Sequence, residues 1–519
     1  MSTFDSTITI EPKWSEWPSR LSTNLRVPET LTCYGETFDR QSVRREILGL
    51  AELHTSKILD LAEQVGLEIE KPMPLNYTAP VIMTGHQPVI FHPGLSFKYA
   101  ATCRAAQQTR STALAIVLDT AVGSAGHFET PVGANTDWKI SGKTARNLAT
   151  PSKSLFSKAK IISSKNIDPM RRETLQTLPD LVPEADRNHI DLALRAYQRL
   201  EGAPADLSHS IVRRSQTLDT NLYEARLSDL ASLPAIGRFI NHLIANFERL
   251  YSDYNKALDD WRSARNIKNP ANPFPNLSSE GNRYELPFWS IDQHRGLRQT
   301  LWAEKRGPSV SIFADKTPVI DFPPKIDEWP MGFAEKCRLV PRGAMITLIF
   351  RLFASDLFVH GLGGQSYDPF VTLLMQKLLG NESREFVVAS ANRQLSQELA
   401  HKLGSMVQLL EEERRAGHHP KQYMECGVFS ESATRELKEI NTQKDAMIAR
   451  LKQKQAAGMS ASFEGKALQE IQGKTQSIVA TEFEVLRSRI THLTLEAREA
   501  INCRTYPWFL FAEEYSSLL

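Results

Sequence analysis

The sequence predicts an α/β protein: a Rossmann-like parallel-sheet core with a helical insertion and a C-terminal antiparallel coiled-coil hairpin. Three observations carry that expectation. Two short apolar runs, Pro80–Thr84 and Ala113–Leu118, flank a helix-compatible stretch from Gly94 to Gln108. Strand, helix and strand within about 40 residues make one βαβ unit of a parallel sheet. Residues 168–265 are helical in pattern almost throughout. Near the C-terminus Leu437, Ile440, Met447 and Leu451 mark one apolar seam, and AAGMSAS reverses the chain. Val479, Phe483, Leu486, Ile490, Leu493 and Ala497 then step by alternating fours and threes, the spacing of a heptad.

The chain has 519 residues, and single cores stop growing at about 250–300 residues. Residues 1–79 read as an N-terminal arm and helix, the helix running from Asp39 to Val65 on Ile47, Leu50, Ile58 and Leu61. Residues 80–150 form the first part of the core. The helical insertion covers 151–268 and ends in the proline-rich NPANPFPN. The second part of the core, 269–390, opens with the strand-like pieces ELPFWSI and PSVSIFA. It continues with a helix through Ile346–Phe353, a strand Leu357–His360, the glycine-rich turn HGLGGQSYD, a helix Pro369–Leu379 and a strand Phe386–Ala389. Residues 391–505 are the helical coiled coil. The tail 506–519 begins with the aromatic YPWFLF, which is expected to dock on the body or on a partner, because bare in water it would be a liability.

Composition narrows the function classes. With 62 basic and 60 acidic residues the net charge is +2, too balanced to argue for a nucleic-acid partner. The five cysteines include no Cys-x-x-Cys pair, which fits reduced thiols in the cytoplasm and provides no zinc module. The N-terminus lacks the basic start and apolar run of a signal peptide. The longest apolar neighbourhood, Ala344–Val359, is broken by Arg351, Ser355 and Asp356, so no membrane span is expected.

The chemistry-bearing residues gather in the turn Thr84–Gly94, TGHQPVIFHPG. Gly85 and Gly94 allow backbone freedom, and His86 and His92 flank the turn. Pro93 stands where a first helical residue would be, so helix-start N–H groups and the positive dipole end would face the turn and favour an anion. Lys98, one turn on, adds charge. The competing expectation is that the glycines serve tight packing and the histidines cap the helix. Asp119 follows the second strand, where ligands of open α/β sheets bind, and is a candidate base. In HGLGGQSYD, Gly361, Gly363 and Gly364 would let a ligand approach the backbone. Asp368 either binds there or caps the next helix. Arg342 is either an anion clamp or a surface ion-pair partner. Spacing of His86, His92, Asp119 and His127 matches no compact metal motif, and no metal is expected.

These motifs resemble two known patterns. HPGL is similar to the His-x-Gly-His signature of nucleotidyltransferases, with His92 as the first histidine and Leu95 in place of the second. TGHQPVIFHPGL resembles the TGQQ-x-x-x-F-x-x-x-L opening of the bacillithiol biosynthesis cysteine-adding enzyme (BshC) family. Thr84, Gly85 and Gln87 match that motif; His86 replaces a glutamine. HGLGGQSYD resembles the family's Gly-Gly-Pro-Gly-Glu turn at Gly363 and Gly364, with Gln365 in the proline's place and Asp368 near the acidic position. Arg342–Gly343 stands near an Arg-Pro pair. The family's Glu-Asp-His-Asp stretch is absent, and Asp119-Thr120 stands there. The resemblance implies a Rossmann-like core with helical connecting segments and a coiled coil. It also implies a ligase joining cysteine's carboxyl to the amine of a glucosaminyl-malate acceptor. On that reading His86, His92 and Asp119 are the catalytic candidates. Thr84, Gly85, Gln87, Gly94, Lys98, Arg342, Gly361, Gly363, Gly364 and Asp368 are the substrate-binding ones. The cofactor is unassigned, with a nucleotide as candidate. The rival readings are nucleotidyl transfer through His92 and a non-catalytic coiled-coil scaffold with a relic α/β body. The coiled coil predicts a homodimer.

Overall fold

The computed structural model describes residues 6–90, 92–134, 138–150, 155–216, 221–230, 233–269, 271–292, 295–323, 339–380, 384–503 and 505–511. The chain is mixed α/β. Its central sheet has six strands: β1 (Ser6–Glu11), β2 (Val81–His86), β3 (Thr112–Val117), β4 (Tyr223–Arg226), β5 (Leu357–His360) and β6 (Phe386–Arg393). They lie in the order β1-β6-β5-β2-β3-β4. β1 is antiparallel to β6, and the other neighbours are parallel.

The apolar runs of β2 and β3 are continuous because both faces of the sheet are covered. Val81, Met83, Leu114 and Ile116 pack on one face with Val43, Ile47 and Ala51 of the helix Arg40–Gln64. Asp39 caps that helix, accepting from the N–H groups of Gln41 and Ser42. Ile82, Ala113 and Ala115 face the other way, onto Phe97, Ala101 and Ala105 of the helix Pro93–Thr109. Small side chains on both partners bring that helix close to the sheet. Its first turn touches β6 so tightly that a β-carbon on Gly94 would stand 2.6 Å from the Ala391 carbonyl oxygen.

One buried ionic cluster joins these parts. Asp356, fully buried, precedes β5. Its carboxylate accepts from Arg40 Nη1 and Arg44 Nη2, each at 2.8 Å, and from the Val81 N–H at 2.8 Å. Arg40 also donates to the carbonyls of Leu352 and Ser355. The starts of β2 and β5 are thereby tied to the helix Arg40–Gln64.

Several expectations need correction. The arm before residue 39 is not simply extended: it supplies edge strand β1, the helix Trp17–Asn24 and the hairpin Thr30–Cys33/Glu36–Asp39. The helical stretch 168–265 contains β4, which pairs with β3 from Leu114↔Tyr223 to Val117↔Arg226. Four residues with two charges have no visible strand pattern; β4 is stabilised by the pairing itself and by the arginines that neutralise Glu224. ELPFWSI and PSVSIFA do not join the parallel sheet. They belong to a second, antiparallel sheet, ordered Thr317–Phe322, Ser309–Ala314, Leu297–Arg306, Arg283–Asp292 and Leu339–Pro341. HGLGGQSYD is not a turn. The helix Leu362–Leu379 starts there, with Gly361 at its N-cap and Pro369 inside it.

Near the C-terminus the long helices Glu431–Ala456 and Ser462–His492 pack on each other. Leu437, Val479, Phe483, Leu486 and Ile490 share a core with Tyr423 and Phe429. The apolar spacing runs on, but the helix does not. It stops at His492, and Leu493 and Ala497 pack into the core of the body instead. Tyr506, Phe509 and Leu510 are fully buried in that same core; residues 512–519 lie outside the described ones. Among the described residues no helix is long and apolar enough to cross a membrane.

Asp356→Ala removes the buried carboxylate shared by Arg40, Arg44 and the Val81 N–H, leaving the two guanidinium groups only Glu29 as a carboxylate partner. It is expected to cost about 3–5 kcal/mol, read as a lower midpoint in urea unfolding. A loss below about 1 kcal/mol would show that the cluster does not hold the sheet.

Candidate functional site

The carboxyl ends of the parallel strands bring Gly85, His86, Val117, Arg226 and His360 to one edge of the sheet. Ligands of open α/β sheets bind outside such an edge. A crevice opens there between the residues after β2 and the helix Ala205–Gln216. His86, Gln87, Ser96 and Tyr99 line one side, and Asp206, His209, Ser210, Arg213 and Glu224 the other, with Trp508 at its border. The space left to water centres is about 30 Å³, room for about two waters.

The chemistry of this crevice is dominated by buried charge. Glu224 is 1% exposed. It accepts from Arg213 Nη2 at 2.8 Å, from Arg214 Nη2 at 2.7 Å and from Ser210 Oγ at 2.7 Å. Burial raises its pKa, but the two arginines outweigh that and hold it down at about 2. Asp206, 1% exposed, uses Oδ2 to accept from Arg226 Nε at 2.6 Å. Its Oδ1 is buried with no hydrogen-bond partner, and so is Ser96 Oγ. Both belong to residues lining the crevice. Buried polar atoms are almost always paired, so two unsatisfied ones at one crevice call for a ligand or water. His209 bonds Tyr197 Oη at 2.8 Å and the Ala125 carbonyl at 2.9 Å. Burial pushes its pKa down to about 4, so the ring is neutral at pH 7.

The predicted residues fall in several places. Thr84 is buried and donates from Oγ1 to the Val359 carbonyl at 2.9 Å, locking β2 to β5. Gln87 is exposed at the crevice. His86 lines the crevice, its Nδ1 3.1 Å from the Gln87 carbonyl oxygen. Burial and then Lys98 push its pKa down to about 4, which makes it a neutral ring at pH 7. Lys98 is 6% exposed and donates to the Gly85 carbonyl at 2.8 Å. No carboxylate pairs with it among the described residues, and burial brings its pKa down to about 7.

His92 takes the competing role of a helix cap and Arg342 that of an ion-pair partner, while Asp119 and Asp368 take roles that were not expected. The helix start is not an open anion site: His92 is the cap. Its Nδ1 accepts from the Gly94 N–H at 2.9 Å and its carbonyl from the Leu95 N–H at 3.0 Å. Asp119 is committed as well, accepting from Ser228 N–H at 3.0 Å and Ser228 Oγ at 2.6 Å. Burial raises its pKa to about 6 against these bonds. Arg342 bonds Glu285 and lies 4.5 Å over the Trp289 ring, beside the second sheet. Asp368 is seven residues past Gly361, fully buried, accepting from Arg351 Nη1 at 2.6 Å and standing 3.1 Å from His360 Nε2. Burial raises its pKa, and Arg351 and His360 together bring it below the ordinary carboxylate value. Gly363 and Gly364 lie inside the first helical turns. A β-carbon on Gly364 would stand 2.2 Å from His360 Nδ1, so that glycine serves packing against the ring.

Sequence reasoning missed Ser96, Asp206, His209, Arg213 and Glu224. No local signal marked them: Ala205–Gln216 has an apolar face with Leu207 and Ile211 and a polar arc opposite, which reads as solvated, yet Ala205 to Arg214 are all buried. Among the described residues no three His, Cys, Asp or Glu side chains are grouped to hold a metal ion. No protein-family model and no curated protein sequence matches the chain.

A lysine whose pKa falls on folding binds its proton more tightly in the unfolded chain. It penalises stability below the folded value, and the penalty fades as pH rises from about 7 toward the ordinary lysine value. Lys98→Met is therefore expected to stabilise the protein near pH 6 and to flatten the rise of stability above pH 7, read from urea unfolding across about pH 6–9. A variant with the wild-type slope would rule out this account of Lys98.

Proposed function

We propose that the chain is a small-molecule ligase of the cysteine-adding kind, or a related amide-forming enzyme, working at the crevice beside His86, which must widen from its room for about two waters to admit the substrates. The observation that carries this reading is the pair of buried, unpartnered atoms there, Asp206 Oδ1 and Ser96 Oγ. Amide formation needs an acceptor for the attacking amine's proton and a donor for the oxyanion that develops on the carbonyl. Asp206 Oδ1 accepts from the amine, and the Ser96 hydroxyl donates to the oxyanion. His86, a neutral ring at pH 7, lines the same crevice and orients the substrate there. The N–H of amine and the C–O bond of the acid break as the C–N bond forms. The departing oxygen must first be activated: the carboxylate attacks a phosphorus of a nucleoside triphosphate, expelling the nucleoside diphosphate or pyrophosphate, and the oxygen then leaves on the phosphoryl or nucleotidyl group it acquired. The likeness of TGHQPVIFHPGL to the cysteine-adding family supplies cysteine as the acid and an amino sugar as the acceptor. Nucleotidyl transfer through His92 has no support from the geometry, because that ring caps its own helix.

The same reading includes a Rossmann-like core, an antiparallel coiled-coil hairpin made by Glu431–Ala456 and Ser462–His492, and a cytoplasmic homodimer joined through the hairpin. Exposed apolar side chains on the hairpin support the dimer: Met459, Phe463 and Val485 are 63%, 70% and 52% exposed. The free thiols of Cys33, Cys103, Cys426 and Cys503 fit a reducing compartment.

Incubated with cysteine, glucosaminyl-malate and ATP, the protein is expected to form the amide, seen by mass spectrometry. Asp206→Asn is expected to lower turnover about 100-fold. Absence of product would leave the scaffold reading in its place, and full turnover in Asp206→Asn would overturn the placing of the reaction at Asp206. Light scattering at micromolar concentration is expected to give a dimer, and Phe463→Asp with Val485→Asp a monomer; a wild-type monomer would refute the hairpin interface.

A further inference from the structure

A second cavity, sharing no lining residue with the crevice, lies where the C-terminal helices meet the hairpin His127–Gly133/Ile140–Asn147. Its volume is about 570 Å³, many times the voids of a packed interior and within the range of small-molecule sites. The lining is mainly apolar and includes Trp138, Met406, Leu409, Val428, Leu486 and Leu493. Lys402, Arg489 and His492 are its basic lining residues. No carboxylate lines it among the described residues. Nor does any of the three basic groups form an ion pair with a described carboxylate, although such pairs are frequent on the neighbouring helix faces, as at Arg487–Glu413. Lys402 instead stands 5.5 Å over the Trp138 ring.

We propose that this cavity is a binding site for a small organic acid with an apolar body, its carboxylate held by Lys402 and Arg489 and its body against Trp138, Leu409 and Leu486. The charge argument separates this ligand from a neutral or cationic one. An apolar wall alone would accept any greasy molecule; an apolar wall with unpaired cations at its border favours one that ends in an anion. The site is independent of the proposed ligase activity, since none of its lining residues belongs to the crevice at the sheet edge.

Decanoate is the probe, with 1-decanol and decylamine as matched controls. Titration calorimetry on the whole chain is expected to show decanoate binding, with decanol and decylamine weaker by roughly tenfold or more. Lys402 and Arg489 are exposed, so Lys402→Gln with Arg489→Gln keeps the fold and is expected to lose roughly that tenfold for decanoate while leaving decanol unchanged. Cys426 is exposed and lines the cavity. Decanoate is therefore expected to slow its alkylation by N-ethylmaleimide, located by peptide mass spectrometry. Equal affinity for decanoate and decanol, no binding of decanoate, an unaltered double variant, or Cys426 alkylated at the same rate would each overturn the proposal.

Discussion

Asp356 is the group on which the rest of the structure depends. A carboxylate with no solvent exposure is costly unless it is both paired and hydrogen-bonded. Here two guanidinium groups and a backbone N–H share it. Its own N–H donates to the Val81 carbonyl, and its carbonyl accepts from Asn24. Three segments distant in sequence are thus forced to one point: the N-terminal helices, the start of β2 and the start of β5. Once those strand starts are aligned, their carboxyl ends are aligned too, and the end of the sheet that bears the crevice follows from a clamp at the opposite end.

The crevice is built by the same means a second time. Glu224 sits on β4 and would be intolerable in the sheet without Arg213 and Arg214 on the preceding helix. Their attraction draws Ala205–Gln216 across the ends of β3 and β4. That placement delivers Asp206 and His209 to the region beside His86. The aromatic tail then packs over the border of the crevice with Trp508, whose ring lies 5.9 Å from that of His189. Polar burial therefore sets both the sheet and the site, while apolar packing fills the space between them.

Legibility in the sequence followed how locally each feature is encoded. β2, β3 and the helix between them were visible because apolar runs and a proline at a helix start act over a few residues. Gly94 was visible as unusual, and its reason, the approach of β6, was not, because Ala391 lies nearly three hundred positions away. β4 was invisible: Tyr223–Arg226 alternates apolar and charged residues only once or twice, and a charged residue in a short segment reads as solvated. The heptad spacing through Ala497 was real as a pattern, yet it spans a helix end at His492, because continuity of spacing says nothing of which core each residue enters.

By itself the sequence determined the class of the fold, the position of the first βαβ unit and the turn at Thr84–Gly94 as an unusual segment. Each is a matter of side-chain periodicity and of backbone constraints at proline and glycine, which neighbours along the chain impose. Tertiary structure alone decided what the turn's residues do. Asp119 became the acceptor for Ser228, Asp368 the partner of Arg351 and His360, and Arg342 was taken by Glu285, whereas the capping of its own helix by His92 is a local contact. It also brought Ser96 and Asp206, more than a hundred positions apart, to one crevice with a buried atom each left unpaired. Hydrogen-bonding capacity is a property of residue type and can be read from a chain. Whether that capacity is already satisfied is a property of contacts, and only the folded molecule determines it.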